Sequence, residues 1–267
     1  MSHVYTVTFH PPSGGSWLAS ARHHDRRLAL AEMAIDSVCG DERALVALPA
    51  GFLRASNNDA RDRLAEVLLQ ISRRAGVAVA FGIDVAPEGE WAPLVGADAS
   101  YVYACEAGRR VLWPATQMRA STKHPPRRPP ESRCVELAGR NVGIVISSEA
   151  FNAPLRLALT HAPLSIILVL AHTPPSDRWS GAVSSWQSLA PTFVVAPTQP
   201  DARRSAEPWV FAPPMEWEQD RVAETMDMTI RRYHESCPVC DLTRNQEALE
   251  IELDVTAPLL RMAERRD

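Results

Sequence analysis

The residues with the clearest chemical potential lie in the run Asn141 to Arg156, NVGIVISSEAFNAPLR. Val142 to Ile146 is a short apolar run of the kind that forms a strand buried on both faces. Two small hydroxyl residues follow, Ser147 and Ser148, then Glu149 and an expected apolar helix start at Ala150. A strand that delivers a small side chain into a sharp turn before a helix can present that side chain as a nucleophile. Serine is a weak nucleophile without a partner base. His124, His161 and His172 are of the right type, but their spacing along the chain does not bring any of them to Ser147.

A second group with chemical potential is HESCPVC, which holds His234, Cys237 and Cys240. Cys-x-x-Cys can bind zinc or cycle as a dithiol, and His234 adds a third possible metal ligand. No second Cys-x-x-Cys completes a structural zinc site, and the pair does not open a helix after a strand as a redox motif does. The expectation is therefore two reduced thiols in a surface insertion, with no metal and no cofactor.

The elements that must carry these groups alternate. Val4 to Phe9 reads as a strand, Ser20 to Cys39 as a helix ended by Gly40, and Ala44 to Leu48 as a second strand running into Pro49, Ala50, Gly51 and Phe52. Asn57, Asn58 and Asp59 offer caps for a helix whose Leu64, Val67, Leu68 and Ile71 form one stripe, with Gly76 as its stop. Val77 to Ile83 reads as a third strand. Tyr101 to Cys105 and Arg110 to Trp113 flank Glu106, Ala107 and Gly108 as a hairpin. A proline- and arginine-rich loop, Lys123 to Pro130, precedes the serine turn. Beyond the turn, Leu164 to Leu170 reads as a strand, Ser176 caps a helix carrying Trp179, Val183 and Trp186 on one face, and Thr192 to Ala196 returns to strand. Strands alternating with helices make this an α/β protein.

The turn resembles that of the nitrilase (carbon–nitrogen hydrolase) superfamily, roughly G-v-x-I-C-[YW]-[DE]-x-x-F. Gly143, Ile146 and Glu149 fall in its register, and Phe151 comes one residue early. The resemblance runs from Val4 to Pro197, weakens over Glu207 to Asn245, and returns at Ile251 to Arg261 as the family's last strand and the arginine-containing segment that follows it. It implies one domain over residues 1–267 folded as a four-layer α-β-β-α sandwich.

The resemblance also implies a catalytic glutamate, lysine and cysteine. The glutamate position, after the proline of LPAGF, is Ala50, which cannot accept a proton. Loss of a positioned base removes roughly 10²–10⁴ in rate. The segment MRASTKH resembles Y-x-K-x-H and puts Lys123, the chain's one lysine, at the lysine position. Ser147 stands in place of the cysteine. Glu149 is expected to hold the turn together.

Two functions follow from this. The first is a protein without amide or nitrile hydrolysis, a pseudoenzyme that serves as a partner subunit or binds a small amide-like or carboxylate ligand. The alternative is an active amidase using Ser147 with a relocated base, Glu131 or His172. The resemblance further implies homo-oligomers paired through the helix carrying Phe151, Leu155 and Leu159 and the helix carrying Trp179, Val183 and Trp186.

Composition excludes other classes. A formal net charge of −4 makes no case for nucleic acid. No apolar run approaches the ~18 residues of a membrane span. The first residues lack the basic and apolar segments of a signal peptide, and five cysteines without a regular framework suit a reducing compartment. The expected location is the cytoplasm.

Overall fold

Strands buried on both faces must be covered on both, and this requirement organises the molecule. A computed structural model describes residues 3–9, 24–85, 99–117, 133–160 and 162–172, and strands between 193 and 264. In the first sheet β1 (His3–Phe9), β2 (Ala44–Ala47) and β4 (Ala78–Val85) run parallel, with β3 (Leu53–Ala55) also on β4. The hairpin of β5 (Ala99–Glu106) and β6 (Arg109–Thr116) extends one side. The second sheet contains β7 (Cys134–Leu137), β8 (Arg140–Ile146), β9 (Ile166–Leu170), β10 (Phe193–Ala196) and β11 (Trp209–Phe211), with β8, β9 and β10 parallel.

Alternation along each strand divides the core into three layers. Tyr5, Val7 and Phe9 of β1 and Val79, Phe81 and Ile83 of β4 pack with α1 (His24–Asp36) and α2 (Asn58–Ala75). Val4, Leu45, Ala47, Ala78 and Ala80 face the other way and meet Val142, Ile144, Ile146, Ile166, Leu168 and Leu170 of the second sheet. The alanines of one sheet leave room for the larger side chains of the other, so the layers interdigitate. On the far side Val145, Ile167 and Val169 pack against Leu155 and Leu159 of α3 (Ala153–Thr160). The result is the α-β-β-α sandwich expected from the sequence.

Local chemistry sets the element ends. Asn57 accepts a hydrogen bond from the Ala60 N–H at 2.9 Å, and Gly76, at φ 73°, ends α2 with its N–H on Ser72. Val67, assigned to the apolar stripe, is 41% exposed, because the buried face is centred on Leu64, Leu68, Ile71 and Ala75. The helix expected at Ala150 is displaced: residues Ser147–Phe151 form a 3-10 turn, and α3 begins after Asn152. Asn152 Oδ1 caps it by accepting from the Leu155 N–H at 2.9 Å.

The divergent segment contributes strands to the first sheet. β12 (Trp217–Glu224) and β13 (Met228–Glu235) form an antiparallel pair, and β13 lies against β1 with Val7 opposite Ile230. β14 (Leu249–Leu253) pairs β12 and then β15 (Leu260–Glu264). No helix among the described residues is long and apolar enough to cross a membrane.

Candidate functional site

Parallel strands deliver their C-terminal ends to one edge of a sheet, and there the described candidates Ala50, Ser147 and His172 lie. β8 and β9 lie side by side with Ile146 opposite Leu170, so Ser147 and His172 emerge from neighbouring strand ends. On the facing sheet, Ala50 follows β2 and Asp84 is near the end of β4. Gly82 joins the two sides: a Cβ built on it would lie 3.0 Å from Ile146 Cδ1 and 3.1 Å from Ala50 Cβ. Ala50 is 0% exposed and belongs to the layer between the sheets. Phe52, two residues on, stacks on Phe9 with ring centroids 3.5 Å apart and anchors the turn that carries Ala50.

Ser147 has φ +46°, a left-handed conformation that costs a non-glycine residue roughly 1–2 kcal/mol. Such a conformation persists only where its surroundings impose it. Here Glu149, 0% exposed, folds back so that Oε2 accepts the Ile146 N–H at 2.9 Å and Oε1 accepts from Arg133 at 2.8 Å. The same Arg133 nitrogen donates to the Thr116 carbonyl at 2.7 Å, tying the turn to β6. Gln117 Nε2 donates to the Ile146 carbonyl at 3.2 Å. Glu149 is therefore a clamp on the turn, the role anticipated for it, and Arg133 is a partner the sequence did not announce.

His172 lies against the opposite sheet. Its Nε2 is 3.0 and 3.1 Å from the two oxygens of Asp84. Burial acts to raise the Asp84 carboxyl, but the charge and hydrogen bond of His172, the hydrogen bond of Ser100 and the charge of Arg54 outweigh it and hold it below the ordinary carboxylate value. Arg54 Nε also donates to the Gly51 carbonyl at 3.1 Å. Gly51, at φ +75°, presses so close that a Cβ there would meet His172 Cδ2 at 2.6 Å. Asp84 escaped the sequence reading, though one signal was present: a lone acid near the end of an apolar strand, on the same face as Gly82.

Lys123, His124 and Glu131 lie outside the described residues, as do the helix residues Trp179, Val183 and Trp186. So do Cys237 and Cys240, whereas His234 stands in β13 opposite Glu218. Among the described residues no cluster of three His, Cys, Asp or Glu side chains is placed to hold a metal ion.

No family profile and no curated protein matches the chain by sequence. Solved structures do match by shape. The NitN amidase from Nesterenkonia sp. AN1 superimposes with a TM-score of 0.61 at 12% identity, over 91% of this chain and 96% of that one. A mutant of that amidase with acrylamide added to its active-site cysteine gives 0.60 at 13%, over 92% and 99%. A cysteine-to-serine mutant, described as belonging to the nitrilase superfamily, gives 0.58 at 14%, over 91% and 98%. At these identities the likeness shows the fold, an α/β sandwich of the nitrilase type.

Proposed function

We propose that this chain is a nitrilase-fold protein that does not hydrolyse amides or nitriles and acts instead as a small-molecule-binding or partner subunit. One observation carries this reading: the two carboxylates described at this end of the sandwich, Glu149 and Asp84, are both engaged in internal hydrogen bonds, while the base position itself is the buried methyl of Ala50. A general base must be within reach of the proton it takes. Among the described residues, neither of these carboxylates is left over to activate Ser147, which stands in the nucleophile position of this reading. The amide-hydrolysing neighbours carry an active-site cysteine, a thiol that ionises far more readily than a serine hydroxyl.

Lys123 belongs to this proposal as the remaining cation of the old site, and a cytoplasmic setting accompanies it. The ligand would be small and amide-like or a carboxylate. Association of copies through α3 is part of the same reading, with one correction to the residues involved. Leu155 and Leu159 are 1% and 3% exposed and belong to the chain's own core, whereas Leu157 points outward at 61%.

Purified protein should show no turnover of acetamide, a simple nitrile or an N-carbamoyl compound above background. Ser147→Cys alone should recover little, because the base is still missing, and Ala50→Glu alone should fail for want of a thiolate. Only the double change can restore weak hydrolysis, and only with Lys123 present. Substantial hydrolysis by the unaltered protein that vanishes in Ser147→Ala would overturn the proposal in favour of an amidase with a relocated base, His172 or Glu131.

A further inference from the structure

The first strand carries hydroxyls on the face it turns to the second sheet. Tyr5, Val7 and Phe9 of β1 pack toward the helices, so Val4, Thr6 and Thr8 alternate to the other side, where Val4 joins the apolar layer between the sheets. Thr6 and Thr8 are each 1% exposed. Their Oγ1 atoms make no hydrogen bond to any described residue. On β13, Thr229 stands opposite Thr8 and is buried as well. On β2, Ala47 stands opposite Thr6 and Leu45 opposite Val4, both in the same apolar layer. The methyl of Ala47 therefore fills little of the space beside Thr6 where a leucine would fill much. A buried hydroxyl keeps the cost of leaving water unless a new partner replaces what it lost, and two on one strip of one strand are seldom both left without one.

We propose that Thr6 and Thr8, with Thr229 beside them, hold an ordered water between the two sheets. Residues two apart on a strand are separated by roughly 7 Å, too far for their hydroxyls to bond each other directly. A water both donates and accepts, as a threonine hydroxyl does, so one molecule lying between the two satisfies both. A buried water ordinarily has roughly two to four polar partners, which the hydroxyls of Thr6, Thr8 and Thr229 supply. The site is built from β1 and β13, away from the turn after β8, and it stands whether or not the chain hydrolyses amides. Were the strip dry, valine would serve better than threonine at both positions, since it has the same shape and no polar atom to desolvate.

The test is a crystal structure of the full-length protein at a resolution that shows bound waters, with ¹⁷O relaxation dispersion in solution beside it. The expected map holds a water within hydrogen-bond distance of both Oγ1 atoms. In solution the wild type should show a long-lived water whose contribution disappears in the double variant Thr6→Val, Thr8→Val. The double variant Thr6→Ser, Thr8→Ser retains both hydroxyls and should keep that contribution. The valine variant should also unfold at a lower urea concentration than the wild type, because it loses the hydrogen bonds to the water. The proposal is overturned by a well-ordered Thr6 and Thr8 with no density between them. A relaxation signal that the valine variant leaves unchanged would overturn it too, as would a urea midpoint that rises in that variant. The wild-type map decides the matter even where the valine variant does not fold.

Discussion

At the scale of single residues, side-chain type decides what the atoms at the strand ends can do. In the function proposed here, Ala50 stands where a proton acceptor would be needed, and Ser147 offers a hydroxyl where a softer, more acidic thiol would react. The chain nevertheless keeps a buried acid elsewhere, and Asp84 has a consequence for stability. Its folded-state value is depressed, so its contribution is complete above the unfolded carboxylate value of about 3.9 and is lost as pH falls through the lower folded value. Denaturant melts between neutral and acid pH should show this in the wild type. Asp84→Asn should be less stable at neutral pH by about 3 kcal/mol, the order expected when one partner of a buried pair is removed. Its acid limb should be shallower by up to about 1.4 kcal/mol per pH unit. Parallel acid limbs in the two proteins would show that Asp84 does not titrate as described.

At the scale of elements, the turn after β8 shows how a strained residue is maintained. Ser147 holds φ +46° because the chain on either side is tied: Glu149 to the Ile146 amide and to Arg133, Gln117 to the Ile146 carbonyl, and Asn152 as the cap of α3. The side chains of Arg133 and Glu149 are 1% and 0% exposed, so neither charge has solvent to fall back on. Glu149→Gln would leave the guanidinium buried without its anion. The expected loss is about 3–5 kcal/mol in the urea unfolding free energy. A change below about 1 kcal/mol, within the range of exposed ion pairs, would mean that the turn is held by its backbone and not by this pair. The same clamp explains why the expected helix starts late: the residues from Ser147 to Phe151 follow the carboxylate, and Asn152 then opens α3.

At the scale of the whole molecule, the two-sheet architecture leaves α3 as an outer layer with one face on the second sheet. Leu155 and Leu159 occupy that face, and Leu157 lies opposite at 61% exposure. A large exposed leucine on an outer helix is where a second copy would bury apolar surface, at roughly 1.5–3 kcal/mol for a fully covered side chain. In the oligomer proposed here, Leu157→Glu should shift light scattering toward the monomer without lowering the thermal midpoint of the monomer itself. A wild-type chain that scatters as a monomer at high concentration would refute the association.

Much of the architecture was legible in the sequence because its determinants are local. The apolar runs of β1, β2, β4, β8 and β9 and the Asn57 and Gly76 ends of α2 depend on residues within a few positions of one another. Periodicity reports which faces are apolar, and turn chemistry reports where elements stop. Only the tertiary structure could decide the partners. Asp84 and His172 are 88 positions apart, and they meet because two different sheets bring their strand ends to the same edge. Arg133 reaches Glu149 because β7 pairs beside β8, and the segment after residue 207 supplies β13, which lies against the first strand. A charge in a sequence records its sign, but whether it is spent on a turn, bound to a histidine across a sheet interface or left for a ligand depends on which strands face each other.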